Sequence, residues 1–84
     1  ADIFARDNLD RQSRELATIA ALAAMPGLGA QLGFHLGAAM NTGLSPAQLR
    51  DFVAVLDAKV GKKEAAEAGK VLDAVLDARS AQAR

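Results

Sequence analysis

One histidine lies inside a long stretch of the chain that carries no other charged side chain. His35 is the only histidine among 84 residues, and no Asp, Glu, Lys or Arg occurs between Glu15 and Arg50. Imidazole exchanges protons near neutral pH, and a carboxylate beside it can orient it, so His35 and Glu15 are candidate acid–base catalysts. Arg14 is a candidate for binding a substrate carboxylate, although a structural salt bridge explains it equally well.

Each of these residues also has a purely structural interpretation. A single histidine on an apolar helix face is often a core residue that donates to a backbone carbonyl. Arg11 precedes Glu15 by one helical turn, and the two could form a surface pair worth about 0.2–0.5 kcal/mol. The spacing of the residues leaves both interpretations open.

Composition excludes several kinds of site. The chain has no cysteine and one histidine, too few for a metal cluster in one copy, so we expect neither a metal nor another cofactor. Ten basic residues balance ten acidic ones, and no basic stripe interleaved with aromatics suggests a nucleic-acid partner. No secretory leader is recognisable from Ala1, the chain can be a fragment, and a cytoplasmic location is the default expectation.

Four helices with short connections are predicted to position these residues, as a single all-α domain over residues 1–84. The first is expected to begin near Asp10, after an arm over residues 1–9, and to stop before Pro26. Candidate N-caps for this helix are Asp7, Asn8 and Asp10. The second is predicted over Ala30–Asn41, with Gly43 in a left-handed cap.

The later helix boundaries have clearer signals. Ser45 and Gln48 match a capping box, and Pro46 suits the first helical position. This third helix is expected to stop at Gly61, and a fourth follows it, with residues 79–84 frayed.

Helical periodicity predicts where the two titratable groups point. At about 100° per residue, His35 shares a stripe with Leu32 and Ala39, which places it near the centre of a buried face. Glu15 shares a face with Ile19 on the preceding helix. If the two helices pack antiparallel across their short loop, contact between Glu15 and His35 is possible.

The uncharged run from Leu16 to Phe34 has the length of a membrane span. Pro26, flanked by glycines, divides it into two shorter helices, so we expect no membrane insertion. Alanine buries little area per residue, and a small alanine-rich chain without disulfide or metal gains stability by oligomerisation. A homo-oligomer is therefore expected.

Three consecutive segments, RELATIAALAAM, QLGFH and NTGLSPAQLRD, carry recognisable motifs. In their order and spacing they resemble the carboxymuconolactone decarboxylase family, which shares its fold with alkylhydroperoxidase D. The resemblance covers residues 10–60 and weakens where AKVGKKEA replaces a typical Tyr-x-Gly-x-Pro segment. The residues that fit the family pattern are Arg14, Glu15, Leu16, Gln31, Leu32, His35, Asn41, Gly43, Leu44, Ser45, Leu49, Arg50 and Asp51.

The resemblance implies a trimer or hexamer with its pocket near the subunit contacts. It also implies loss of a carboxyl group from a small lactone or related carboxylic acid, with His35 as proton donor, Glu15 orienting it and Arg14 near the substrate. The peroxidase branch needs a Cys-x-x-Cys pair before the histidine. Leu28 and Gln31 stand there instead, so no thiol peroxidase activity is expected.

The sequence is compatible with three functional classes. The first is a decarboxylase-like enzyme, the second is a relative whose pocket serves other acid–base chemistry or ligand binding, and the third is an inert helical assembly module. For the first class we expect His35 to line a small, mostly apolar pocket, with Glu15 in reach directly or through one water.

Overall fold

The computed structural model describes residues 3–25 and 27–82, with side chains described from Leu9 onward. In this part the chain forms α1 (Ile3–Ala23), α2 (Gly29–Asn41), α3 (Pro46–Lys59) and α4 (Lys62–Gln82). The described residues contain no strand. The all-α fold with four helices and short connections agrees with the prediction.

The start of α1 corrects the predicted N-terminal arm over residues 1–9. The chain is helical from Ile3 onward, and residues 1 and 2 lie outside the described part. Residues 3–9 contain neither Pro nor Gly, and a helix extends readily until such a residue stops it. Asp7, Asn8 and Asp10 therefore lie inside α1, because a residue that suits a helix start does not prevent a helix from running through it.

The end of α4 corrects the predicted frayed segment, residues 79–84, in the same way. α4 continues to Gln82, and residues 83 and 84 lie outside the described part. Arg79 donates from Nη2 to Asn41 Oδ1 at 3.2 Å. This contact ties the last turns of α4 to the end of α2.

The caps between α2 and α3 confirm the sequence prediction. Gly43 has φ +106°, in the left-handed region that favours glycine. The Ser45 hydroxyl oxygen accepts from the Gln48 N–H at 3.1 Å, and Gln48 Oε1 accepts from the Ser45 N–H at 2.8 Å. Pro46 occupies the first position of α3. Local chemistry thus fixes where α2 ends and α3 begins.

The helices pack in the spatial order α1, α2, α4, α3. α1 and α2 are antiparallel, since Glu15 meets His35 while Gln12, earlier in α1, meets Thr42 at the end of α2. α2 and α4 run parallel, because Gly29 at the start of α2 lies near Val71, whereas Gly37 later in α2 lies near Arg79. α3 returns antiparallel to α4.

The core is apolar throughout, and no polar side chain of the described residues is buried. Half-buried apolar side chains of all four helices pack against it, whereas Val60, at the C-cap of α3, is exposed. The buried residues are Ile19, Ala23, Leu32, Leu36, Ala39, Leu49, Leu56, Ala65, Ala68 and Leu72.

The long uncharged run is divided between α1 and α2 by a turn in which Gly27 has φ +80°. Within residues 3–25 and 27–82, none of the helices combines the length and the apolar character needed to cross a membrane.

Candidate functional site

The antiparallel pairing of α1 and α2 brings Glu15 and His35 into direct contact. His35 Nδ1 lies 2.8 Å from Glu15 Oε2, within hydrogen-bond distance. The two residues are separated by a single short loop, which leaves their helices little choice but to pack side by side. The structure therefore places Glu15 within reach of His35, as the sequence led us to expect.

His35 lies at the edge of the buried face of α2 rather than at its centre. Its side chain is 31% exposed and that of Glu15 is 25% exposed. Leu32, Leu36 and Ala39 occupy the centre of that face. α2 packs against α1 on one side and against α4 on another, so its buried face is wide. The sequence prediction used a single stripe and placed the centre of that face at His35, which was wrong.

The hydrogen bond fixes which nitrogen of the imidazole carries a proton in the neutral state. An ionised carboxylate can only accept, so Nδ1 must donate to Glu15 Oε2. Nε2 then changes its protonation during acid–base exchange. Among the described residues, Nε2 has no hydrogen-bond partner. The arrangement can therefore accept or deliver a proton at Nε2 while Glu15 holds the ring.

Phe34 provides a second contact to the imidazole. The two ring centroids are 5.3 Å apart and the ring planes meet at 84°, an edge-to-face geometry that aromatic pairs favour. The Phe34 side chain is 72% exposed. The imidazole thus lies between a carboxylate on α1 and an exposed aromatic ring on α2.

Arg14 is not part of this contact. It is exposed, and no ion pair of its guanidinium occurs among the described residues. Adjacent residues on a helix point about 100° apart, which separates Arg14 from Glu15. The alternative pair of Arg11 with Glu15 is also not formed within the described part of the chain, since Glu15 is bonded to His35.

A cavity of about 390 Å³ opens at the other end of the α1–α2 pair. Its wall is mostly apolar and comes from the α1–α2 connection, and three charged residues of α4 complete it. None of the three predicted site residues lines it, so it is not the pocket expected around His35. Its lining residues are Leu22, Ala23, Ala24, Met25, Gly27, Leu28, Gly29, Leu32, Lys63, Glu64 and Glu67.

Sequence reasoning missed two residues: Phe34, which contacts the imidazole, and Gln12, which bonds to α2 one turn away from Glu15. Gln12 precedes Glu15 by three residues on α1 and donates from Nε2 to the Thr42 carbonyl at 3.0 Å. The i, i+3 spacing placed Gln12 on the face of Glu15. Its partner could not be read from the sequence, because that depends on the register of the two helices.

Comparisons with known proteins identify the family. No curated protein and no solved structure matches the chain significantly. The carboxymuconolactone decarboxylase family matches residues 1–74, a range that includes the whole of α1, α2 and α3 and most of α4. The match extends beyond residues 10–60, where the motifs are found, and contains the His35–Glu15 pair. The chain therefore belongs to the carboxymuconolactone decarboxylase family.

Proposed function

We propose that the protein is a carboxymuconolactone decarboxylase-like enzyme that acts on a small lactone or related carboxylic acid, with His35 as proton donor. The observation that carries the proposal is the 2.8 Å hydrogen bond between His35 Nδ1 and Glu15 Oε2. Family membership supports the reaction class. The absence of cysteine leaves no thiolate for the peroxidase route.

In the proposed reaction, the carbon–carbon bond to the substrate carboxylate breaks and carbon dioxide leaves. The electron pair of that bond passes into the conjugated lactone, and a carbon of this system takes a proton from Nε2 of the cationic imidazole. His35 ends neutral, with its remaining proton on Nδ1. A proton from solvent then restores the cation for the next turnover.

Glu15 has two tasks in this scheme. Its carboxylate holds the proton on Nδ1, which directs Nε2 toward the substrate, and its negative charge stabilises the imidazolium. Arg14 is proposed to bind a carboxylate of the substrate. The exposure of its guanidinium on α1 supports this role, since arginine binds carboxylates through two parallel hydrogen bonds.

The active form is proposed to be a homo-oligomer, a trimer or a hexamer, whose neighbouring copies complete the pocket around His35. Two observations support this. The His35 side chain is 31% exposed in a single chain, whereas an acid–base site benefits from exclusion of water. Phe34, beside it, exposes most of its ring. A cytoplasmic location, expected from the sequence, is part of the same proposal.

A turnover assay on a panel of small lactone acids tests the activity, with carbon dioxide release as the readout. The His35→Gln variant should lose turnover, while Gln82→Ala, an exposed change at the end of α4, should keep it. If the wild-type oligomer releases no carbon dioxide from the panel, or if His35→Gln is as active as wild type, the proposal fails.

A second candidate function is a non-catalytic binding or helical assembly module of the same fold. The position of the 390 Å³ cavity favours it, because that cavity lies apart from His35, and its volume is within the range of small-molecule sites. Ligands of such a module should bind equally well to wild type and to His35→Gln, whereas substrates of the enzyme should depend on His35 for turnover.

A further inference from the structure

Gln12 forms a second polar contact between α1 and α2, beside that of Glu15 with His35. Its Nε2 donates to the Thr42 carbonyl at 3.0 Å, and the contact is partly buried. Gln12 and Glu15 are one turn apart on α1, whereas their partners Thr42 and His35 are about two turns apart on α2. The two hydrogen bonds therefore hold the helix pair at two separated points.

Thr42, whose carbonyl accepts the hydrogen bond from Gln12, is itself held to α2 by hydrogen bonds. Its N–H bonds to the carbonyls of Ala38 and Ala39, and its hydroxyl donates to Ala39 at 2.6 Å. The Thr42 carbonyl is consequently fixed relative to α2, and an amide that bonds to it is fixed relative to α2 as well.

Apolar packing between α1 and α2 is not directional, and part of the α1 surface toward the core is alanine. Ala20 and Ala23 lie there beside Leu16, Ile19 and Leu22, and short side chains interlock less deeply than long ones. A slide of two residues moves one helix by about 3 Å along its axis. Such a slide would take Glu15 Oε2 out of hydrogen-bond reach of His35 Nδ1.

We infer that Gln12 is a positioning residue for His35: its bond to Thr42 sets the register of α1 on α2, and that register holds Glu15 on Nδ1 of the imidazole. The inference rests on the proposed function for its catalytic consequence. Its structural part, the state of the imidazole, is measurable without any substrate.

The single histidine makes the measurement direct. Two-bond proton–nitrogen correlation spectra of the imidazole, recorded in alkaline buffer where the ring is neutral, show which nitrogen carries the proton. Free histidine favours the proton on Nε2, so a proton on Nδ1 reports the bond to Glu15. The wild-type protein should show the Nδ1–H form.

Gln12→Met keeps the length of the side chain and removes its donor. We expect the ratio of the Nδ1–H to the Nε2–H form to fall by about tenfold, the equivalent of one lost hydrogen bond. Gln82→Met is the matched control, because it removes an exposed amide at the end of α4 for which no hydrogen bond is present among the described residues. It should leave the ratio unchanged. An unchanged ratio in folded Gln12→Met protein overturns the inference.

A measurement on the wild-type protein covers the case in which Gln12→Met does not fold. A scalar coupling across the hydrogen bond, between Gln12 Nε2 and the Thr42 carbonyl carbon, should be detectable, and its absence also overturns the inference. If the enzyme assay succeeds, Gln12→Met should lower kcat more than KM. If no lactone acid is turned over, the proposed function fails while the imidazole spectra still decide the role of Gln12.

Discussion

At the scale of single residues, the contact between His35 and Glu15 joins two groups that are each partly exposed. Solvent screens such a pair, so its contribution to the free energy of unfolding is about 1 kcal/mol or less. A charge-assisted hydrogen bond can nevertheless select one form of the imidazole. The contact is thus better suited to setting the chemistry of His35 than to stabilising the fold.

The Glu15→Gln variant tests whether the contact with His35 affects catalysis more than it affects stability. The amide oxygen of glutamine can still accept from Nδ1, but it carries no charge to stabilise the imidazolium. We expect kcat to fall by at least about tenfold, while the free energy of unfolding changes by less than about 1 kcal/mol. Steady-state kinetics and urea unfolding measure the two quantities.

Asp73→Asn is the matched control for that experiment. Asp73 is an exposed carboxylate in an ion pair with Arg50, between α3 and α4. Its replacement should leave kcat unchanged. A Glu15→Gln protein that keeps full activity, or that unfolds like a core variant, would contradict the assigned role.

At the scale of helices, the sequence correctly predicted the boundaries that capping residues form. It did not predict the boundaries that lack such residues. Ser45, Gln48 and Gly43 make specific local contacts or need a specific backbone angle, so their types alone located the junction of α2 and α3. The start of α1 has no such signal, and Asp10 suggested a boundary that the chain does not use.

The candidate site, like the helix boundaries, could be predicted from the sequence only in part. Contact between Glu15 and His35 was foreseeable from the short loop between their helices. The half-exposed position of His35 was not, because the width of the buried face depends on α4, which packs beside α2. The bond of Gln12 to a backbone carbonyl depends on helix register, and no residue type encodes that acceptor.

Gly33, on the face of α2 that packs against α4, gives a prediction about stability at the scale of helices. A Cβ on Gly33 would lie 3.5 Å from a methyl carbon of Val71 and of Val75, which is ordinary van der Waals contact. Alanine costs less backbone entropy than glycine in a helix, so Gly33→Ala should stabilise the protein by up to about 1 kcal/mol. Thermal or urea unfolding measures the change.

Gly43→Ala serves as the contrasting variant. Gly43 has φ +106°, where a Cβ is strained, so the same substitution should destabilise the protein by about 1 kcal/mol or more. If Gly33→Ala destabilises the protein as much as Gly43→Ala does, then α2 and α4 approach more closely than the structure indicates.

At the scale of the whole molecule, the exposed ring of Phe34 is the feature that a single chain explains least. It is 72% exposed, more than any other large apolar side chain of the described residues. Single exposed apolar residues are common on proteins. Phe34 differs from them because its ring packs against the imidazole of the proposed proton donor, so a neighbouring copy that covers Phe34 would also shield His35.

Light scattering after size exclusion tests this assembly. Wild type should elute as a trimer or hexamer, and Phe34→Ser should shift toward smaller species, because it removes apolar area that the assembly would bury. Val55→Ser, on α3, removes a side chain that is 51% exposed and should not change the mass. A wild-type monomer at micromolar concentration would refute the oligomer and the shielding role of Phe34.

The antiparallel pairing of α1 and α2 also has a consequence for folding kinetics. Glu15 and His35 are 20 residues apart in the chain, and both lie in one helical hairpin. Contacts of short sequence separation close early and rapidly. The hairpin that carries the candidate site can therefore pair before α4 docks on α2, whose contact between Asn41 and Arg79 spans 38 residues, and substitutions confined to the α2–α4 interface should act mainly on the unfolding rate.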